Sequence, residues 1–410
     1  MITIGGSDTM LTLLEIDNFK SFCNFKIEFR PLTVLIGTNS VGKSSVLQAV
    51  DLLSHFADGT VKDYLAKRNW QPTELKSKLS HASKRNMTFA AHFSLNNKYK
   101  LKWEFTLAPK KDENTLYCVR ERVLDLESQK ILLNRETKRL TWFDFSKDGI
   151  EEFPEIQLFG SMLSLINPKQ EDYYYRFPQL TALKHFIMGI QSFELLSPNK
   201  MKRTSRYDAA DLGIGGERLG AFLHSLGSGQ RQKINDKAKE FYPFLREIVT
   251  SKKQYGHVLL QMSEAFQGVD PYAVNANYIS DGLLRIMAII SLGALGSDYT
   301  SILLDEIEDG INPGLAANLI GYLGNISQEY NKQIIVTTHS PVLLNYFDEN
   351  SVVFLWRKTD GAVLAARMFE NPELREHLKF MNPGEVWLNL DQDKLEETLS
   401  KGFDSQLKGE

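Results

Sequence analysis

The sequence has few cysteines, no long apolar run and no excess of charge of one sign. Only Cys23 and Cys118 occur among its 410 residues, too few for a disulfide framework or for a zinc site built on cysteines. Each lies in an apolar, strand-like stretch, so we expect buried thiols in a reducing compartment. No apolar run approaches the ~20 residues of a membrane span, and the first residues do not resemble a signal peptide. We therefore expect a cytoplasmic protein with no membrane partner.

The charge balance limits the partners of the whole molecule. The formal net charge is −3, from 48 basic and 51 acidic residues, so the chain is not a general binder of polyanions. Any contact with nucleic acid must be made by a local patch. The hydrophobic fraction of 42% is that of a globular protein, and the length allows a large domain with a second lobe.

A glycine-containing loop follows a predicted strand at 32–36 and precedes a predicted helix at 45–56. It fits the pattern G-x-x-x-x-G-K-[ST], whose backbone amides and helix N-terminus surround phosphates. Lys43 is expected to reach the β- and γ-phosphates of ATP, and the Ser44 hydroxyl to ligate Mg²⁺. A coincidental glycine turn is the alternative, and the strand–loop–helix order favours a P-loop. Its predicted nucleotide-binding residues are Gly37, Thr38, Asn39, Ser40, Val41, Gly42, Lys43, Ser44 and Ser45.

Polar residues follow two later apolar strands, predicted at 301–304 and 333–337. The carboxyl ends of buried parallel strands meet at the ligand edge of a sheet. We expect Asp305 to hold the Mg²⁺ shell, Glu306 to polarise the attacking water and His339 to hydrogen-bond the γ-phosphate. An apolar run that ends in two carboxylates is often only a strand leaving the core. Its position after a P-loop favours the catalytic interpretation.

Five blocks, in the order NFKSF, GTNSVGKS, YISDGLLR, DEIEDGINP and TTHSP, resemble the RecF/SMC-like branch of ABC ATPases. More narrowly, they resemble AAA-type ATPases related to the OLD family, many of which serve in prokaryotic defence. The resemblance implies that Lys20 and Asn39 approach the nucleotide. It also implies that Ser280, Asp281 and Gly282 form a signature segment, in place of LSGGQ, that contacts the ATP of another subunit. The alternative for Ser280 is an ordinary N-cap of a core helix.

The expected fold is α/β: an ABC-type ATPase head with a mixed β sheet, an antiparallel β lobe and a helical insertion. We place the first half of the head at 10–86, the β lobe at 87–150 and a mainly helical insertion at 151–270. The second half of the head follows at 271–365 and a C-terminal tail at 366–410. A Q-loop residue cannot be assigned: Glu121 and Gln129 are candidates, but each fits an ordinary solvent-facing strand residue better.

Three function classes remain. The first is an oligomeric defence ATPase that controls a separate effector, such as a nuclease or toxin. The second is a DNA-repair ATPase that clamps DNA directly, and the third is the energy subunit of a transporter. The missing LSGGQ disfavours the third, and the near-neutral charge and absence of a coiled-coil pattern favour the first. The basic segment at 200–206 could grip a phosphate backbone or dock an acidic partner, although a solvated loop is the simpler interpretation.

Overall fold

The computed structural model describes residues 9–79, 86–136, 139–153, 160–194, 197–206, 209 and 211–407. Within these residues, the strands are β1 (Met10–Asp17), β2 (Phe25–Glu28), β3 (Leu32–Ile36), β4 (Met87–Leu95), β5 (Tyr99–Lys110), β6 (Thr115–Asp125), β7 (Ile131–Glu136), β8 (Arg139–Asp144), β9 (Gly149–Phe153), β10 (Ile190–Phe193), β11 (Ser205–Arg206), β12 (Leu245–Lys252), β13 (His257–Glu264), β14 (Tyr272–Asn275), β15 (Ser301–Leu304), β16 (Gln333–Thr337), β17 (Val352–Arg357) and β18 (Val363–Arg367).

The α-helices of the same residues are α1 (Lys43–Asp58), α2 (Val61–Lys67), α3 (Glu171–Arg176), α4 (Pro178–Met188), α5 (Pro198–Met201), α6 (Leu219–Ser225), α7 (Ser228–Phe241), α8 (Asp281–Ser291), α9 (Ala316–Glu329), α10 (Pro341–Leu344), α11 (Pro372–His377), α12 (Pro383–Asn389) and α13 (Gln392–Leu407). None of them is both long and apolar enough to cross a membrane.

A six-stranded sheet in the order β10-β15-β16-β3-β17-β18 forms the centre of the molecule. Its strands are parallel except β18, which pairs antiparallel with β17. Strands β3, β15 and β16 are buried along their whole length, as continuous apolar runs in a sheet covered on both faces should be. The strands expected at 32–36, 301–304 and 333–337 are confirmed.

Helix α1 lies between this sheet and an eight-stranded antiparallel sheet, ordered β2-β1-β4-β5-β6-β7-β8-β9. Its apolar face joins one hydrophobic core with side chains of both sheets. The Phe56 ring lies 4.5 Å from that of Phe105 and 5.5 Å from that of Trp103. The β lobe expected over 87–150 is therefore not a separate sheet, because β1 and β2 continue it directly beneath the P-loop helix.

The segment 151–270 is mixed rather than mainly helical, and the expectation is corrected here. It contains α3 to α7, but it also supplies β10 to the central sheet and β11 to β14 to a third, four-stranded sheet. Strand β13 alternates between buried and partly buried residues, the period of a half-buried strand. Lysine, glutamate and glutamine around this hairpin favour helix intrinsically, and strand pairing overrides that preference.

Candidate nucleotide-binding site

The loop at 37–42 connects the end of β3 to the start of α1 and is held close to the central sheet. Gly37 has φ +140°, and a Cβ atom on it would lie 2.3 Å from the Leu355 carbonyl oxygen of β17. Only glycine fits this approach. The loop therefore opens towards the carboxyl ends of the parallel strands, where the predicted ligand edge lies.

Lys43 is the first residue of α1 and only 5% exposed. Its ammonium group donates to the carbonyl oxygens of Gly37 and Thr38, each at 2.9 Å. Burial lowers the pKa of Lys43 to about 8, while Asp305, Glu306 and Glu308 oppose this change. A desolvated cation at the loop therefore lies within electrostatic reach of three carboxylates.

An open cleft of about 760 Å³ adjoins this cation and is lined mainly by polar side chains. It brings together the P-loop, the residues after β15 and the residue after β16. Its lining residues are Ser21, Asn39, Ser40, Gly42, Lys43, Ser44, Ser45, Glu306, Glu308, Asp309 and His339. Gly37, Thr38 and Val41 belong to the same loop but do not line this cleft.

Thr337, at the end of the neighbouring strand, holds the Asp305 carboxylate and the Glu306 backbone after β15. The Thr337 hydroxyl donates to Asp305 Oδ1 at 2.6 Å and accepts from the Glu306 amide at 2.8 Å. Glu306 has a left-handed backbone with φ +48°, an uncommon conformation for this residue. Its Oε1 lies 3.9 Å from His339 Nε2. A candidate general base and a candidate γ-phosphate contact therefore stand side by side.

Glu308 joins the loop after β15 to the loop after β16. Its carboxylate accepts from the Thr338 hydroxyl at 2.9 Å and from the His339 backbone amide. Sequence reasoning did not single out this residue, although it lies in the DEIEDGINP block.

The predicted signature segment lies outside this cleft. The Ser280 hydroxyl accepts from the Leu283 amide at 3.3 Å and caps α8. A contact between Ser280 and the ATP of another subunit stays a prediction. Asp281 pairs with Lys202 at 2.7 Å. Gly282 packs against Gly310, and Arg285 of the same helix binds the Asp309 carboxylate at 2.7 Å. Segment 309–310 therefore connects the cleft to α8, the signature helix, which begins at the predicted signature segment.

Lys20 points away from the lining of the cleft. Its ammonium lies 3.7 Å from the centre of the Trp70 ring and donates to Gln48. Burial, with help from Arg68, lowers the pKa of Lys20 to about 8. Its neighbour Ser21 lines the cleft instead, so a direct role for Lys20 in nucleotide binding stays a prediction.

Glu121 differs from its sequence interpretation, and Arg357 is a contact of the P-loop that the sequence did not indicate. Glu121 is fully buried rather than solvent-facing, and its carboxylate accepts from Trp103 Nε1, the Ser161 hydroxyl and the Met162 amide. Arg357, which no motif indicated, donates to the Ser40 carbonyl of the P-loop at 3.0 Å. Both contacts join residues far apart in sequence, so no local pattern could have shown them.

Known proteins resemble this chain over different lengths. A protein of Methanosarcina acetivorans named "Putative ABC transporter ATP-binding protein" is 24% identical over 119 residues, which are 28% of this chain and 36% of that protein. The match thus spans about a third of that relative's length. The crystal structure of an SMC head bound to the C-winged helix domain of ScpA is similar at a TM-score of 0.54 and 14% identity, over 87% of this chain and 96% of that chain.

The structural likeness establishes the fold, an α/β architecture similar to SMC and ABC ATPase heads, which confirms the fold class expected from the sequence. A family model described as "AAA domain, putative AbiEii toxin, Type IV TA system" matches residues 32–345, well over half of the chain. The chain belongs to this AAA-type, ABC-like ATPase family.

Proposed function

We propose that the protein is an ATP-binding, Mg²⁺-dependent switch that hydrolyses ATP. The observation that carries this proposal is the convergence of Lys43, Glu306 and His339 on one open cleft. Lys43 supplies a partly desolvated cation for the phosphates. Glu306 accepts a proton from the attacking water, and His339 beside it hydrogen-bonds the terminal phosphate.

The residues present fit a magnesium ion. The Ser44 hydroxyl lines the cleft, and the Asp305 carboxylate is oriented by Thr337 at the same edge of the sheet; both are oxygen donors of the kind Mg²⁺ prefers. When bound, the ion would neutralise charge on the phosphates. Ser44 and Asp305 would hold it, which leaves Glu306 for the water.

Phosphate release by wild-type protein and by Glu306→Gln tests this function. Glutamine keeps the shape of Glu306 but cannot take the proton, so we expect turnover to fall at least about 100-fold with ATP binding retained. Glu376→Gln, a change of an exposed glutamate in α11, is the matched control. Turnover of Glu306→Gln at the wild-type rate contradicts the assignment of the base.

The switch is proposed to act as an oligomer. Ser280, Asp281 and Gly282 do not line the cleft that holds Lys43. They are available to complete the ATP site of another subunit, as the resemblance to ABC/SMC heads implies. A serine hydroxyl at a helix N-terminus suits a phosphate group.

The biological role that we propose is that of a sensor or scaffold in a prokaryotic antiphage defence system, in which this ATPase controls a separate nuclease or toxin. Support comes from the resemblance to OLD-related ATPases and from the toxin–antitoxin system in the family's description. Within the chain, the Lys202–Asp281 ion pair gives the insertion a direct contact with the signature helix. Purification with the products of neighbouring genes, with and without ATP, tests it. No co-eluting protein under either condition contradicts control of an effector.

Direct binding of DNA is the second candidate, and one feature of the insertion favours it. Strand pairing places Arg206 opposite His257, and Lys252 opposite Val258 on the other side of β13. The hairpin between β12 and β13 also carries Lys253 and Tyr255, whose side chain is 92% exposed. Basic residues from two distant segments, with an exposed ring that could stack on a base, form a local basic patch suited to a polyanion. Retention of duplex DNA by the pure protein, decreasing with salt, would support this candidate.

A further inference from the structure

The loops after β15 and β16 are joined residue by residue. Asp305 and the Glu306 amide bind the Thr337 hydroxyl, and the Ile307 amide donates to the Thr337 carbonyl at 3.2 Å. Glu308 extends this series to Thr338 and His339. The spacing between the candidate base and the candidate phosphate contact is therefore set by one short run of hydrogen bonds.

Glu308 makes the last contacts of this series with both of its oxygens. Oε2 accepts from the Thr338 hydroxyl at 2.9 Å, and Oε1 accepts from the His339 amide. The Thr338 hydroxyl also accepts from the Ser340 amide at 3.0 Å, so Glu308 fixes the path of the loop on both sides of His339. Hydrogen bonds to an ionised carboxylate are about twice as strong as neutral ones.

The position of the His339 side chain depends on the backbone that Glu308 holds. That side chain is 33% exposed at the cleft, and the Glu306 carboxylate lies 3.9 Å from its Nε2 atom. A side chain on a loop moves with its backbone, and a displacement of 1 Å can cost about 100-fold in rate.

We propose that Glu308 is a positioning residue for ATP hydrolysis: it holds the 338–339 backbone so that His339 meets the terminal phosphate beside Glu306. This inference rests on the proposed function. Both carboxylate oxygens accept hydrogen bonds from the loop, so Glu308 is placed to act through His339. The next residues, Asp309 and Gly310, contact the signature helix, which places Glu308 between the two halves of the shared site.

A double-mutant cycle tests the dependence on His339. In Glu308→Gln the negative charge is lost and only one side-chain oxygen is left to accept, so the charge-assisted contacts with residues 338–339 are weakened. We expect kcat to fall about 10- to 100-fold with the Kd for ATP changed less than about threefold. In a His339→Ala background, Glu308→Gln should lower kcat no further, because the group it positions is gone. Multiplicative losses in the double variant would overturn the proposal.

Hydrogen exchange of the backbone amides at 338–340 provides a readout that needs no ATPase activity. Exchange should be faster in Glu308→Gln than in wild type, and unchanged in the control Glu376→Gln. Thr338→Val removes the hydroxyl from the other end of the contact. It should lower kcat and speed amide exchange more weakly, and it replaces Glu308→Gln as the test variant if that protein does not fold. If the wild type fails to hydrolyse ATP, the proposed function fails, while the exchange rates still test whether Glu308 holds the 338–339 backbone. Unchanged exchange in a folded Glu308→Gln protein overturns the inference by itself.

Discussion

Gly282 and Gly310 lie so close together that a Cβ atom on Gly282 would stand 2.1 Å from the Gly310 carbonyl oxygen. Gly282 belongs to the first turn of α8, and Gly310 follows the acidic residues after β15. The Arg285–Asp309 ion pair at 2.7 Å lies next to this contact. The glycine of the predicted signature is therefore required by packing inside one chain, whatever it contacts in another.

Gly282→Ala should displace the 309–310 segment or the start of α8. The new methyl group meets backbone, which cannot rotate away, so we expect a loss of about 1–3 kcal/mol in stability and a fall in ATPase rate. Gly321→Ala in α9 is the control, because nothing lies within 4 Å of its new Cβ and alanine favours a helix by up to about 1 kcal/mol. Thermal unfolding and phosphate release measure both variants. Equal stability of the two would mean that the contact is not close in solution.

The central sheet could be predicted from the sequence because its strands are short, wholly buried and followed by polar residues of defined chemistry. Strands β3, β15 and β16 were expected at the residues where they occur. The P-loop adds a fixed spacing of glycines, lysine and serine that few other structures need. These signals lie in short stretches of the chain, so a single sequence without an alignment is enough to recognise them.

Contacts between distant segments could not be predicted in this way. Glu121 lies in β6, where charged residues occur on both faces of the strand, so the sequence does not indicate which face is buried. Its carboxylate is bound by Ser161 and Met162, which are far along the chain. Glu308 lies in the DEIEDGINP block, but its partners on the 338–339 loop are 30 and 31 positions away in the sequence. The Lys202–Asp281 pair joins residues 79 positions apart.

The buried Glu121 carboxyl predicts a pH dependence of stability. Burial raises its pKa, although three hydrogen-bond donors oppose this change. A raised pKa in the folded state means that its stabilising effect is complete below the unfolded pKa of about 4.3 and is lost as the pH rises through the folded value. Glu121→Gln resembles the protonated form and lacks this titration. The free energy of unfolding of wild type minus that of Glu121→Gln, from urea titrations, should fall as the pH rises above about 4.3. A difference that grows with pH would show that the hydrogen bonds to the carboxylate dominate.

Mixing two inactive variants tests whether the ATP site is shared between subunits. Lys43→Ala removes the phosphate-binding cation, and Ser280→Arg blocks the predicted signature. In a hybrid dimer, one of the two ATP sites pairs an intact P-loop with an intact signature. Free exchange makes about half of the dimers hybrids, so roughly a quarter of wild-type activity should return. Subunit exchange is followed separately with two affinity tags. Exchange without any return of activity contradicts the shared site.

The basic segment at 200–206 has a candidate binding role and also a contact with the start of α8, and the two can be separated by mutation. If the basic segment at 200–206 only binds a partner or DNA, charge reversal at Lys202 and Arg203 should weaken that binding and leave ATP hydrolysis nearly intact. The ion pair between Lys202 and Asp281 changes this expectation for one of the two residues. Lys202→Glu places a second carboxylate beside Asp281 at the start of α8, whereas Arg203 is exposed on the same segment.

We therefore expect Arg203→Glu to weaken retention of a duplex DNA, or of a co-purified partner, while the ATPase rate stays within about twofold of wild type, as for most surface changes. Lys202→Glu should weaken retention and also change the ATPase rate by about two- to fivefold, since an exposed ion pair contributes up to about 1 kcal/mol. Retention and phosphate release are measured on the same preparations at two salt concentrations, because contacts with phosphates weaken steeply with salt. Two variants with the same ATPase rate would show that the Lys202–Asp281 contact carries no signal, and unchanged retention in both would remove the basic segment from partner binding.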